Sequence, residues 1–148
     1  MMKQVFLWGL LFWLTACEQP VFDVVDGPDL LPSDLDGQWL VINYWATWCG
    51  PCITEIPELN EIHRKSTYPI TVLGVDFDAP AEDAAKRASI LKMKIEFPVL
   101  ASDPAPRFGY AMPEVLPTTV IIDPAGGVSK VLVGPQTEAS ILAEMEAE

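Results

Sequence analysis

Soft metal ligands are scarce in this chain: three cysteines and one histidine among 148 residues. A structural zinc site takes four such ligands at short, paired spacings. The one close pair, Cys49 and Cys52, has only His63 and the distant Cys17 to draw on, so no metal ligand set is assigned. Basic side chains are scarce too. Nine Lys and Arg stand against 21 Asp and Glu, for a net charge of −12. A surface of that sign repels phosphate backbones and anionic headgroups, which argues against nucleic acid as a partner. The acids are spread along the chain and read as a solvated surface. No G-x-G-x-x-G fingerprint occurs, so no nucleotide cofactor is expected. Internal repeats and low-complexity tracts are also lacking. What the chain holds in quantity is apolar residues, 50% of it, enough for the core of one domain of ordinary size.

Those apolar residues are not gathered into a membrane span. Val5 to Leu14 is an uncharged run of ten residues, well short of the roughly 20 that a bilayer-crossing helix needs. Lys3 precedes the run and small residues follow it, which is the layout of an export signal. Leu14-Thr15-Ala16-Cys17 resembles the lipobox of bacterial lipoproteins, whose cysteine is lipidated and becomes the first residue after cleavage. By that resemblance Cys17 carries the lipid and residues 1–16 are a lipoprotein signal peptide. An ordinary signal peptide, or an uncleaved anchor with Cys17 incidental, is the competing reading. Residues 17–36, with Pro20, Gly27, Pro28, Pro32 and five Asp, read as a tether and N-terminal lead-in. Residues 37–148 read as the folded domain. The expected location is the cell envelope, with a lipid anchor in the membrane and the domain facing the periplasm or the outer face of the cytoplasmic membrane. Disulfides persist in such compartments.

Along the domain the pattern alternates between buried strands and amphipathic helices. Val21 to Val25 has the composition of an edge strand. Gln38 to Ala46, Ile70 to Phe77 and Thr118 to Asp123 are near-continuous apolar runs suited to strands covered on both faces. Cys52 to Ser66 predicts a helix with Ile53, Ile56, Leu59 and Ile62 inward and Pro57 inside it, which needs compensation. Ala81 to Lys94 predicts a second helix, with Ala84, Ala88 and Leu91 on its apolar face. Glu96 to Ala101 is a link or short strand, and Ser102 to Glu114 a proline-rich loop. Pro124 to Gly127 is a turn leading to a fourth strand, Val128 to Val133. Thr137 to Ala147 is a closing helix capped by Thr137 or Gln136. The order predicts an α/β fold, a central mixed β-sheet flanked by helices on both faces.

Trp48-Cys49-Gly50-Pro51-Cys52 falls where the first buried strand gives way to a helix. A helix N-terminus carries about half a positive charge and unpaired N–H groups, both of which favour thiolate. Cys49, at the very start, is expected to have a pKa below the free value of about 8.5. Cys52, three residues on, is expected to be more buried and to resolve the mixed disulfide that Cys49 forms. Pro51 suits a first helical turn, where no N–H is needed. A purely structural disulfide is the bland alternative, but so short a loop gains little stability from closure.

Trp-Cys-Gly-Pro-Cys after an apolar strand resembles the thioredoxin active-site motif. Asn43-Tyr44-Trp45-Ala46-Thr47-Trp48-Cys49, with Glu55-x-Pro57 after it, resembles the TlpA/ResA/CcmG-like envelope branch of thiol-disulfide oxidoreductases. Leu116-Pro117-Thr118-Thr119 is similar to that family's cis-proline loop, and Phe97-Pro98-Val99-Leu100 to the strand before it. The resemblance runs from about Val21 to the C-terminus and implies a thioredoxin-like domain over 37–148. It implies that Pro117 is cis and that Leu116 offers backbone groups to an incoming peptide. It tolerates a kinked helix at Pro57. Asn43 stands where thioredoxin has a titrating aspartate, so the proton acceptor must lie elsewhere: Glu55 first, then Asp76 or Asp78. Gly50-Pro51 matches thioredoxin itself and leans toward a reductant. Trp48 is placed to line the docking surface, whereas Trp45 reads equally as packing, and His63 as an exposed helix residue.

The function so implied is reduction of disulfides in exported proteins, apocytochrome c heme-site cysteines among them. Electrons would arrive by exchange with a thiol-donating membrane protein. A net disulfide-forming oxidant is the second enzymatic reading. A copper-binding module of the same fold is the contrasting class, but those relatives separate their cysteines by three residues and add a distal histidine. Peroxidatic relatives carry a lone cysteine after proline and threonine, a pattern absent here.

Overall fold

The computed structural model describes residues 21–65 and 67–146. The expected signal peptide and Cys17 lie outside the described residues. The first long apolar run becomes β1 (Trp39–Trp45), an inner strand of a four-stranded sheet in the order β2-β1-β3-β4, with β2 at Ile70–Asp76, β3 at Thr118–Ile122 and β4 at Val128–Val133. β1 is parallel to β2, through the crossover helix α2 (Gly50–Lys65), and antiparallel to β3, which is antiparallel to β4. The inner position explains the sequence: six of the seven β1 residues, Leu40 to Trp45, are buried, so the run has no polar alternation to show.

Successive β1 side chains feed two cores. Val41 and Trp45 pack with α2, with Met93 of α3 (Asp83–Met93) and with Ile141 of α5 (Glu138–Glu146). Leu40, Ile42 and Tyr44 point to the other face, covered by Phe22, Leu100 and the single-turn helices α1 (Pro32–Leu35) and α4 (Ala105–Phe108). Helices therefore flank both faces, but those on the second face are one turn long. Both carry proline at the start, and a four-residue turn leaves no periodic signal for a sequence reading to find.

Three local expectations need correction. Val21 to Val25 forms only two isolated bridges, Phe22 with Leu30 and Val24 with Leu100. The Gly27-Pro28 turn ends the pairing, and the Asp29 carboxylate accepts the Val24 N–H at 2.9 Å. Of the two readings of Glu96 to Ala101, the link holds, with Val99 a single parallel bridge to Gly74. In α3, Leu91 is 77% exposed and Ala84 and Ala88 lie outward, while Ile90 and Met93 face the core. Alanine is indifferent to facing, so the bulky Ile90 and Met93, three apart, set the rotation. Lys94 in the left-handed conformation then ends the helix and turns Ile95 into the core. In α2, Ile53 is exposed beside the cysteines. Pro57 is also on the outer side of α2, where water can serve the Ile53 carbonyl that loses its donor. The expected cap on the last helix is Thr137: its hydroxyl accepts the Ser140 N–H at 3.2 Å, and its own N–H donates to Ser140 at 2.9 Å.

Gly74, in the middle of β2, marks a close approach. Its N–H donates to Pro98 and its carbonyl accepts from Leu100. A Cβ there would stand 3.0 Å from Phe97, 3.1 Å from Trp45 and 3.1 Å from Val99, all buried. Gly74→Ala is expected to destabilise the domain by about 1–3 kcal/mol through overpacking. Urea unfolding checks this; a neutral or stabilising result contradicts the packing described.

Candidate active site

The site lies at the end of the sheet where β1 runs out. After Trp45 the chain turns through Ala46, and the Cys49 N–H returns to the Ala46 carbonyl at 3.1 Å. Cys49 then caps α2. Its sulfur accepts the backbone N–H of Cys52 at 3.2 Å, the donor that the third helical residue has to spare. Pro51 sits between them in the first turn and has no N–H to leave unpaired. Cys49 and Cys52 are joined as a disulfide, with an S–S distance of 2.05 Å and 5.3 Å between Cα atoms. Cys49 retains 4% exposure and Cys52 none, so what little solvent access the pair has falls on Cys49. Gly50 is open to solvent, and nothing lies within 4 Å of the place its Cβ would take.

Three residues beyond Cys52 on the same helix, Glu55 is buried, 1% exposed. Every donor around it points at its carboxylate. Asn43 Nδ2 donates to Oε2 at 3.0 Å, while Oε1 accepts from the Thr119 hydroxyl at 3.3 Å and from the Gln136 N–H at 3.0 Å. Asn43 also donates to Thr119 at 3.1 Å, and its own Oδ1 is buried without a partner among the described residues. Burial pushes the Glu55 pKa up, and the bonds from Gln136, Asn43 and Thr119 pull it back. The carboxylate thus pins α2 to β1, β3 and the lead-in of α5 at once.

Of the other acids considered, Asp76 is 8% exposed, and burial raises its pKa against the pull of the Asp78 N–H. Asp78 is exposed, and both its oxygens accept from the Trp48 indole, at 3.1 and 3.0 Å. That bond holds the 64% exposed Trp48 ring in one place beside Cys49. Trp45, by contrast, is fully buried and packs, and His63 is exposed along α2.

The Leu116–Pro117 peptide is cis. Leu116 packs against the core that contains both cysteines, and the Pro117 carbonyl accepts the Gly134 N–H at 2.9 Å. Neither backbone group of Leu116 has a partner among the described residues. Sequence reasoning did not find Thr119, Gln136 or the Trp48–Asp78 pair. Thr119 left a trace, as a hydroxyl in a fully buried strand. Gln136 contributes a main-chain N–H, which no side chain announces.

The family model described as AhpC/TSA matches residues 20–131. The chain belongs to the AhpC/TSA family. It is 30% identical over 127 residues to a thiol-disulfide oxidoreductase ResA of Bacillus cereus, covering 84% of this chain and 72% of that one. To ResA of Bacillus anthracis it is 31% identical over 127 residues, with the same 84% and 72% shares. Among solved structures, a thiol:disulfide interchange protein of the thioredoxin family from Chlorobium tepidum TLS matches with a TM-score of 0.61 at 25% identity, covering 89% of this chain and 97% of that one. A DsbF homologue from Corynebacterium diphtheriae matches with a TM-score of 0.69 at 20% identity, over 88% and 87% of the two chains. That second likeness speaks to the fold. This AhpC/TSA member is a thiol-disulfide oxidoreductase with a thioredoxin-like fold.

The raised Glu55 pKa has a definite sign in stability. The folded chain binds a proton at Glu55 more readily than the unfolded chain. Stability is therefore fullest below the ordinary carboxylate range and is lost as pH rises through the Glu55 pKa in the folded protein. Asp76 acts in the same direction. In Glu55→Gln the loss should be smaller, leaving the Asp76 share. Denaturant midpoints of the oxidised protein from acid to mildly alkaline pH measure this, and parallel curves for the two proteins contradict it.

Proposed function

We propose that this chain reduces disulfides of exported proteins in the cell envelope, with Cys49 attacking and Cys52 resolving. The observation that carries the reading is the Cys52 N–H donated to the Cys49 sulfur at the start of α2. In the reduced protein the same donor and the helix field stabilise a thiolate. That thiolate attacks one sulfur of a client disulfide, and the other client sulfur leaves with the bonding electron pair and takes a proton. Cys52 then gives its proton to the Glu55 carboxylate and attacks the Cys49 sulfur. The second client sulfur leaves as a thiolate. Two electrons have passed to the client, and the Cys49–Cys52 disulfide is the product. Glu55 suits the acceptor role because three donors keep its ionised form accessible against burial.

Leu116 and Pro117 form the docking edge in this reading, with the unpaired Leu116 backbone groups available to a client strand. Trp48, held by Asp78, flanks it. Gly50-Pro51 is the thioredoxin dipeptide and favours the reducing direction. Apocytochrome c heme-site cysteines are among the proposed clients, by similarity to the TlpA/ResA/CcmG-like branch, and a thiol-donating membrane protein resupplies the electrons. The proposed lipid anchor at Cys17 fits the fold's polarity. Val21 lines a hollow with Asp123, Pro124 and Gly126, at the end of β3 away from Pro117. A tether leaving there would hold the domain with its disulfide turned away from the membrane.

Trapping tests the roles. Cys52→Ser should accumulate client proteins disulfide-linked to Cys49, and Cys49→Ser should lower insulin-disulfide reduction to background. The reduction potential tests the direction: a value near about −270 mV supports a reductant, and one near about −120 mV supports an oxidant. An empty trap with no reductase activity contradicts the proposal.

A further inference from the structure

Two neighbouring residues of β1 serve opposite faces of the sheet. The Asn43 side chain reaches Glu55 behind the cysteines. The Tyr44 side chain, on the other face, is fully buried and reaches the connection over residues 103–117, which ends in the cis-proline loop. Its hydroxyl donates to Asp103 Oδ1 at 2.6 Å and lies 2.9 Å from the Tyr110 hydroxyl. A phenol has a single hydrogen to give. With that hydrogen on Asp103, Tyr110 is the donor in the second bond. The two rings meet edge to face, with centroids 6.4 Å apart and planes at 86°. Asp103 Oδ1 also accepts the Ala105 N–H at 3.0 Å, at the start of α4. The thiol exchange itself uses none of these groups.

A connection as long as 103–117, with only one helical turn in it, needs side-chain anchors to keep a single shape. Phe108 against Phe22 seats α4, with ring centroids 6.1 Å apart. Tyr110 on Tyr44 is the next anchor. Ala111, Met112 and Glu114 are then exposed, until the Thr118 hydroxyl donates to the Val115 carbonyl at 2.8 Å. Tyr44 and Thr118 stand directly opposite each other where β1 pairs with β3. One cross-strand pair therefore grips the chain on both sides of the exposed stretch, just ahead of Leu116 and Pro117. Leu116 packs against the cores on both faces of the sheet, so a shift in the stretch before it moves its backbone groups. Phenylalanine in place of Tyr44 keeps the ring and its packing. It leaves Asp103 and Tyr110 each short of a bond.

We propose that Tyr44 is a positioning residue for client docking: its hydroxyl, through Asp103 and Tyr110, holds the segment that presents the Leu116 backbone to a client strand. The proposal rests on the reading that clients pair along Leu116. The test uses a peptide whose single cysteine is joined to mercaptoethanol. It is made in a plain form and in a form N-methylated at the residues flanking the cysteine, which cannot donate to the Leu116 carbonyl. The reduced protein is mixed with each, and the rate of reduction is followed by Trp fluorescence. Bis(2-hydroxyethyl) disulfide, too small to pair along Leu116, reports the chemistry alone. The wild type should reduce the plain peptide about fivefold faster than the methylated one, the scale of one hydrogen bond. In Tyr44→Phe and in Tyr110→Phe the ratio should fall to within about twofold, with the small disulfide still reduced at the wild-type rate. Tyr110 is only half-buried, so its variant carries the test should Tyr44→Phe fail to fold. Tyr68→Phe, whose hydroxyl donates to Glu146 at 3.0 Å, should keep the full ratio. Variants at 44 and 110 that also keep it overturn the positioning role and leave the docking reading in place. A wild type without preference overturns docking along Leu116 and the proposal with it. Equal losses on the peptide and on the small disulfide assign both tyrosines to general packing and likewise overturn the proposal.

Discussion

One hydrogen bond organises the chemistry: the main-chain N–H of Cys52 aimed at the sulfur of Cys49, at 3.2 Å. It is the bond that any capped helix makes to its first residue, with sulfur in place of the usual oxygen. To make it, the chain must stop being strand and start being helix within a few residues, at a place water can barely reach. Burial of β1 along its length fixes where the strand ends. The return of the Cys49 N–H to Ala46 sets the turn. Pro51 removes the donor that would otherwise compete for the sulfur. In the proposed mechanism the reactivity of Cys49 is thus a consequence of backbone geometry, with no charged side chain needed beside it.

A second constraint lies behind the cysteines. Glu55 is a carboxylate in a nearly dry place, which costs stability whenever it is ionised. The fold tolerates it because Asn43, Thr119 and the Gln136 N–H converge on it. These donors come from β1, β3 and the segment before α5, the elements that meet behind the disulfide. In the proposed mechanism a non-titrating Asn43 on β1 therefore leaves the site with a proton acceptor, Glu55. The acid is on α2, and the β1 residue is its donor. The unpartnered Asn43 Oδ1 follows from that arrangement, since the amide spends both N–H directions on Glu55 and Thr119 and has nothing left to satisfy its own oxygen.

Much of this was legible in the residues. Cys49 and Cys52 were marked by spacing and by their place between a strand and a helix. The β1, β2 and β3 strands were marked by near-continuous apolar runs, which strands covered on both faces carry. The cis Pro117 was legible through resemblance alone, because nothing in a Leu-Pro pair distinguishes it from the common trans form. Other features were hidden for physical reasons. The rotation of α3 turned on Ile90 and Met93, and alanines at 84 and 88 gave a false stripe. The α1 and α4 turns were too short for periodicity. The hold of Asp78 on Trp48 joins residues 30 apart that meet only when the ends of β1 and β2 are side by side. The Gln136 contribution is main chain, and so invisible to any side-chain reading.

Titrating the Cys49 thiol in the reduced protein tests the central claim most directly, with Cys52→Ala used to assign the signal. The helix start and the Cys52 N–H predict a thiolate that forms below the free-cysteine value of about 8.5. A pKa at or above that value, with correspondingly slow alkylation at neutral pH, would contradict the account.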